Sequence, residues 1–191
     1  MSVKKHHHAK MPVKKACQDK IADQKALPST LTSFVWICNM QHVSLQAATT
    51  LTEWSERTIR RRLADGSLKC AADNGAHYKT MICFDSIKHD ICIALDADDI
   101  KLVKAADAGD AMAQNDLALL FLENDKMKSA VYWLELAAKQ NFTDAMHLLG
   151  CCYLDGNGLP KDDNLAVMWI AKAASLGHSI AQAQIQSMRL T

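Results

Sequence analysis

No stretch of this 191-residue sequence is apolar for long enough to cross a bilayer; the longest runs, such as Phe34 to Cys38 and Ala130 to Trp133, fall far short of about 20 residues. The N-terminus carries lysines and histidines but never reaches the continuous apolar core of a secretory signal, which predicts a cytoplasmic protein. A C-x-x-C pair is also missing. The seven cysteines, Cys17, Cys38, Cys70, Cys83, Cys92, Cys151 and Cys152, are odd in number and scattered, so they read as buried free thiols rather than as a disulfide framework or a zinc site. Nor is there a glycine-rich phosphate loop, a nucleophile elbow or a paired zinc motif. Carboxylates such as Asp98, Asp99, Asp162 and Asp163 stand at helix starts, where capping accounts for them. These absences argue against an enzyme and against any bound cofactor or metal.

What the chain does have is enough apolar material for two small cores, 49% of its residues. The formal charge of +1 conceals an uneven distribution. Residues 1–41 carry seven Lys and two acids, residues 42–95 seven basic and six acidic groups, and residues 96–191 eight basic and thirteen acidic ones. Ends of opposite sign prefer different partners, a first sign of an adaptor. Three regions follow: a basic tail at 1–28, a compact domain at 29–95 and a helical domain at 96–191. The tail, punctuated by Pro12 and Pro28, is either a basic arm that touches phosphate or a solvated extension, and His6 to His8 suit an appended tag as well as a natural segment. Thr30 to Met40 is a short apolar element that fits a buried strand or one helix face equally well.

In the compact domain, Ser44 is placed to cap a helix whose Leu45, Ala48 and Leu51 share a face. After a turn at Thr52 to Trp54, Ser55 caps a second helix, Glu56 to Ala64, stopped by Asp65 and Gly66. Ile59 and Leu63 lie four apart and face the core, which turns Arg57, Thr58 and Arg61 outward with Arg60 and Arg62 flanking. Beyond Gly66, Leu68 to Ala72 and Ala76 to Phe84 read as two strands joined by the turn Asp73-Asn74-Gly75, with His77, Tyr78 and Lys79 near the tip.

The stretch VSLQAATTLTEWSERTIRRRLADGSLK, Val43 to Lys69, resembles the winged helix-turn-helix of excisionase-like and MerR-like DNA-binding proteins. The resemblance implies a recognition helix at Glu56 to Ala64 in the major groove of double-stranded DNA. Arg57 and Arg61 would then reach base edges, Thr58 a base or phosphate, Arg60 and Arg62 the backbone, and His77 and Lys79 flanking phosphates. The competing reading is an arginine-rich helix used for protein contacts. The segment is nearly neutral, and Glu53, Glu56, Asp65 and Asp73 lie close to the cationic surface.

The second half repeats itself. Ala105-Ala106, Ala137-Ala138 and Ala173-Ala174 correspond, as do Gly109, Asn141 and Gly177, and Ala113, Ala145 and Ala181. Leu117 matches Leu149, Phe121 matches Tyr153, Ala130 matches Ala166 and Trp133 matches Trp169. The register predicts helix pairs Ala111 to Leu122 with Lys128 to Lys139, and Asp144 to Leu154 with Asp163 to Leu176. Lys101 to Ala108 and Ile180 to Arg189 serve as partial units at the edges. The segment LLGCCYLDGNGLPKDDNLAVMWIAKAASLGHSIA, Leu148 to Ala181, resembles a Sel1-like repeat, and Ala113 to Ala145 is a shortened copy. In that copy Ala118 and Asn141 replace glycines and the glycine-rich loop is missing.

The fold class expected is therefore mainly α: a small winged helix-turn-helix domain followed by a short α/α solenoid of Sel1-like, TPR-like repeats. The resemblance implies an adaptor for proteins or peptides. One candidate partner-binding face comprises Asn115, Leu119 and Leu122 in the first hairpin and His147, Cys151 and Leu154 in the second, unless it is an internal seam or a contact with a second copy. His147 and Cys151 sit one turn apart, too few ligands for a metal. The functional expectation is a DNA-binding regulator whose repeats take a protein partner; the alternative is a pure protein-interaction adaptor. Many DNA readers of this type act as homodimers, and without coiled-coil heptads the array itself would have to mediate one.

Overall fold

The computed structural model describes residues 42–70 and 80–188. The basic tail, the Thr30 to Met40 element, the Asp73-Asn74-Gly75 turn, His77 and Lys79 lie outside the described residues. Those that are described form β1 (His42–Ser44), α1 (Leu45–Thr52), α2 (Glu56–Ala64), β2 (Met81–Cys83), two 3-10 turns (Phe84–Ser86 and Lys88–Asp90), and α3 (Ala97–Ala108), α4 (Ala111–Glu123), α5 (Met127–Lys139), α6 (Thr143–Asp155), α7 (Asp163–Ser175) and α8 (Ser179–Met188). Among them no helix is long and apolar enough to cross a membrane.

Two compact units divide the chain, each drawn from two stretches of sequence. One takes the described parts of Met1–Leu45 and Ser55–His89; the other takes Gln46–Trp54 with the described part of Asp90–Thr191.

In the first unit, β1 and β2 pair antiparallel, with His42 opposite Cys83, Val43 opposite Ile82 and Ser44 opposite Met81. Val43 and Ile82 are fully buried, so this short pair contributes one inward face, with Ile59, Leu68, Phe84 and Ile87 also buried. The expected wing is described only at its two ends, up to Cys70 and from Thr80. Among the described residues its first strand contributes a bridge from Cys70 to Ile82, supported by the Cys83 N–H donating to the Lys69 carbonyl at 2.9 Å. The described part of the second strand, Met81–Cys83, ends one residue before the expected Phe84, because Phe84 enters a 3-10 helix whose Ser86 hydroxyl donates back to the Cys83 carbonyl at 2.6 Å. The end of the strand expected from Ala76 to Phe84 is thus corrected to Cys83, while residues 76–79 lie outside the described residues. The ladder partner of β2 is His42–Ser44, just before α1, a pairing that no local signal announces.

α2 matches its sequence signals closely. Ser55 is extended (φ −67, ψ 150) and its side chain accepts from the Thr58 N–H, while Asp65 closes the other end through its backbone N–H to the Arg61 carbonyl. Ile59 is fully buried and Leu63 half-buried, which leaves the guanidinium face outward.

In the second unit each helix from α3 to α8 packs on its sequence neighbours, most extensively within the hairpins α4/α5 and α6/α7. Aspartates start three of these helices. Asp96 forms a capping box with Asp99, Asp110 accepts from the Ala113 N–H, and Asp162 accepts from Asn164 and Leu165. The capping box explains why α3 begins at Ala97, four residues before the expected Lys101. Turns between helices require left-handed residues: Gly109 at φ +105 and Gly177 at φ +97, with Asn141 taking the role at φ +63 in the position where a glycine would recur. The aligned alanines Ala113, Ala130, Ala137, Ala145, Ala166, Ala173 and Ala181 are all buried, and Leu117, Phe121, Trp133, Leu134, Leu149 and Ile170 fill the space between helices. Full burial of each large side chain contributes roughly 1.5–3 kcal/mol. Gly150 lets α6 meet α7 closely: a Cβ there would stand 2.6 Å from Ile170 Cγ1.

Candidate partner-binding surfaces

The second unit is built partly from the helix that the sequence assigns to the N-terminal domain. The Ser129 hydroxyl at the start of α5 donates to the Thr50 carbonyl at 2.8 Å, and Lys126 Nζ reaches Glu53 Oε2 at 2.8 Å. The Cys92 N–H donates to the Leu51 carbonyl at 2.8 Å. The Ser129 and Cys92 contacts satisfy the Thr50 and Leu51 carbonyls at the end of α1, where Glu53 takes φ +54 and stops the helix. Trp54, Thr49 and Lys128 line a shallow recess beside this junction.

The six residues expected on the partner face divide between exposed and seam positions. On α4, Leu119 is 38% exposed and Leu122 half-buried, whereas Asn115 is only 5% exposed. Its Nδ2 donates to Asp116 Oδ1 at 3.3 Å. On α6, His147 Nε2 hydrogen-bonds to Gln184 Oε1 of α8 at 2.9 Å, so His147 joins two helices of the array. Cys151 Sγ lies 3.8 Å from His147 Nε2, and Leu154 is half-buried.

Around His147 the structure assembles a cluster that spacing alone did not reveal. The His178 ring stacks on that of His147 with centroids 4.6 Å apart and planes inclined by 25°. His178 Nδ1 accepts from the Ala181 N–H at 3.1 Å, capping α8, and its Nε2 lies 3.4 Å from Asp144 Oδ1. Because Nδ1 is an acceptor, neutral His178 carries its proton on Nε2, toward Asp144. Burial, with Asp155 nearby, pushes the Cys151 thiol up. Burial first, and then Cys151 and Asp155, push the Cys152 thiol up to about 11. Both thiols are therefore protonated near neutral pH. Among the described residues no group of three or more His, Cys, Asp or Glu side chains is arranged to hold a metal.

On α2, Arg57, Arg60 and Arg61 are exposed and Arg62 and Thr58 half-buried. Arg60 Nε donates to Glu56 Oε1 at 2.7 Å, an i,i+4 pair worth well under about 1 kcal/mol at such exposure. Thr58 Oγ1 shares a 2.9 Å hydrogen bond with Ser55 Oγ, so its hydroxyl is already engaged in the cap. Ser67, through its side chain and then its backbone, holds the Asp65 carboxyl below the usual range, aided by Arg61 and Arg62.

Residues 111–142 and 143–178 match the Sel1 repeat family. No curated protein matches the chain. Two solved structures are similar to it: a protective antigen of uropathogenic Escherichia coli strains displaying an SLR fold, and a Sel1 repeat protein from Oxalobacter formigenes. The first is 32% identical over 49% of this chain and 21% of its own, with a TM-score of 0.46; the second is 34% identical over 46% and 26%, with a TM-score of 0.43. The chain thus spans about a quarter or less of the length of these structures. Its helical half carries two Sel1 repeats, in the register that the aligned alanines and tryptophans predict.

Proposed function

We propose that this protein is a non-enzymatic, cytoplasmic protein-binding scaffold, in which the Sel1 repeats hold a protein or peptide partner. The observation that carries this reading is the pair of repeats at 111–178, stacked on flanking helices into one packed unit. Such an array offers an extended surface for a partner. Leu119, the most exposed of the six expected contact residues, is the centre of the face proposed for the partner. Affinity enrichment from cell extract, with wild type beside Leu119→Asp, tests this. A protein retained by wild type and lost with the variant supports the scaffold reading, and identical retention by both contradicts it.

A second reading rests on α2. Three exposed guanidinium groups, from Arg57, Arg60 and Arg61, stand on a helix capped at both ends, the arrangement that contact with the major groove and phosphates of double-stranded DNA would use. Arg62, Thr58, His77 and Lys79 would complete that contact in a winged helix-turn-helix. Under this reading the protein is a DNA-binding regulator with the repeats as its effector arm. Fluorescence anisotropy with short duplexes at two salt concentrations separates the readings. Salt-sensitive binding that is lost in Arg57/Arg60/Arg61→Ala supports DNA recognition; no binding at low salt leaves the scaffold alone.

A further inference from the structure

Among the described residues, six of the eight large hydrophobic side chains that stand exposed lie on α7, α8 or the turn between them: Leu165 (37%), Val167 (41%), Met168 (49%), Leu176 (50%), Ile180 (58%) and Met188 (43%). On α7, comparison of the two repeats shows that the exposure of Leu165 and Val167 is specific to the second. In the register that aligns Trp133 with Trp169, Leu165 corresponds to Ser129 and Val167 to Val131. The first-repeat residues are covered: Ser129 is 4%, Val131 5% and Trp133 1% exposed, while Trp169 is half-buried. At the start of that face the cover is the last turn of α1, seated through the Ser129 to Thr50 hydrogen bond and the Lys126 to Glu53 pair. The same face of α7 has no equivalent cover among the described residues.

We propose that the outer face of α7 takes α8 of a second copy of this chain, and that the protein self-associates through this surface. Composition and charge select that occupant. Among the described helices only α1 (LQAATTLT) and α8 (SIAQAQIQSM) have no charged residue, and both are built from Ala, Gln, hydroxyl and aliphatic residues. α8 therefore resembles the helix that contacts the equivalent face of the first repeat. It buries Ala181 against its own array and leaves Ile180 and Met188 outward. The region from 96 onward is acidic, so two copies would repel if they met elsewhere. On the exposed part of α7 the central charge is Lys172, held 5.3 Å over the Trp169 ring, so two such faces approach without a row of like charges. A two-fold axis uses the surface twice, with each α8 on the other copy's α7, and the contact closes without forming a chain of copies. Two helices of roughly 15–20 Å present a face at the small end of specific interfaces, which predicts a concentration-dependent dimer rather than an obligate one. This inference goes beyond the partner reading, whose face is centred on α4.

Sedimentation velocity of the full chain over a range of about 1–200 μM, a span suited to a weak interface, tests the proposal. Wild type is expected to shift from monomer to dimer across the range. Met168→Glu and Ile180→Glu, both at exposed positions, are expected to stay monomeric with unchanged circular dichroism. Mixing Met168→Lys with Ile180→Glu is expected to restore a dimer by bringing opposite charges together across the contact. A wild type that remains monomeric at the highest concentration overturns the proposal. So does a dimer that both glutamate variants leave intact. Failure of the mixed pair to associate overturns the placement of α8 on α7.

Discussion

Ser129 and Thr50, far apart in the chain, are joined by a buried hydrogen bond of 2.8 Å from the serine hydroxyl to the threonine carbonyl. It ties the end of α1 to the first repeat. Removing the donor leaves a carbonyl buried with a weakened set of partners, at a cost of about 1–3 kcal/mol. Ser129→Ala is therefore expected to lower the melting temperature by a few degrees to about 10 °C. Ser175→Ala, which removes an exposed hydroxyl bonded to the Lys172 carbonyl, should leave it nearly unchanged. Differential scanning calorimetry of the two variants checks the contrast.

Gly158 and Gly109 both have positive φ, +73 and +105, yet their surroundings differ. A Cβ at 158 would stand 2.6 Å from the Met127 carbonyl oxygen, whereas nothing lies within 4 Å of one at 109. Gly109→Ala should cost only the left-handed conformation, about 1–2 kcal/mol. Gly158→Ala should cost more, since the loop must also leave α5. Chemical denaturation of both variants gives the order; equal losses would contradict the close approach.

The Cys152 thiol, raised to about 11, should resist iodoacetamide in the folded state near pH 8, where only about one part in a thousand is thiolate. In the unfolded chain a thiol ionises near pH 8.5. Its contribution to stability is therefore fully present below that value and is lost as pH rises toward 11. Mass spectrometry of alkylation at pH 8 and in denaturant checks the first statement, and melting curves of wild type and Cys152→Ala between pH 8 and 10 the second.

His178 caps α8 through Nδ1, so His178→Ala should weaken the start of α8 by about 1 kcal/mol, while His178→Asn retains an acceptor and should recover most of it. Hydrogen exchange reads this locally. Faster exchange in α8 but not in α4 is expected for the alanine variant, and equal exchange in both variants would contradict the cap.

Much of the architecture is legible because it is local. Ser55 and Asp65 bracket α2, Asp110 and Asp162 start α4 and α7, and the alanine register places the repeats, all from side chains acting within a turn or two of themselves. Contacts between distant segments are less accessible. Leu45, Ala48 and Leu51 announce a helix but not that Thr50 meets Ser129, nor that residues 46–54 group with the array. β-propensity gives no sign that β2 pairs with His42–Ser44, because pairing partners, not propensity, decide where a ladder forms. At the candidate partner face, periodicity places Leu119 outward but gives no sign that His147 is drawn into a seam by His178 and Gln184, residues from the turn after α7 and from α8.

The scaffold reading is tested most directly by a photo-reactive amino acid placed at Leu119 on α4 and, in a separate variant, at the exposed Lys101 on α3, followed by irradiation in living cells and mass spectrometry. A protein cross-linked from position 119 and not from 101 is the predicted result. Cross-links to no protein from 119, or the same products from both positions, would contradict a partner held by the repeats.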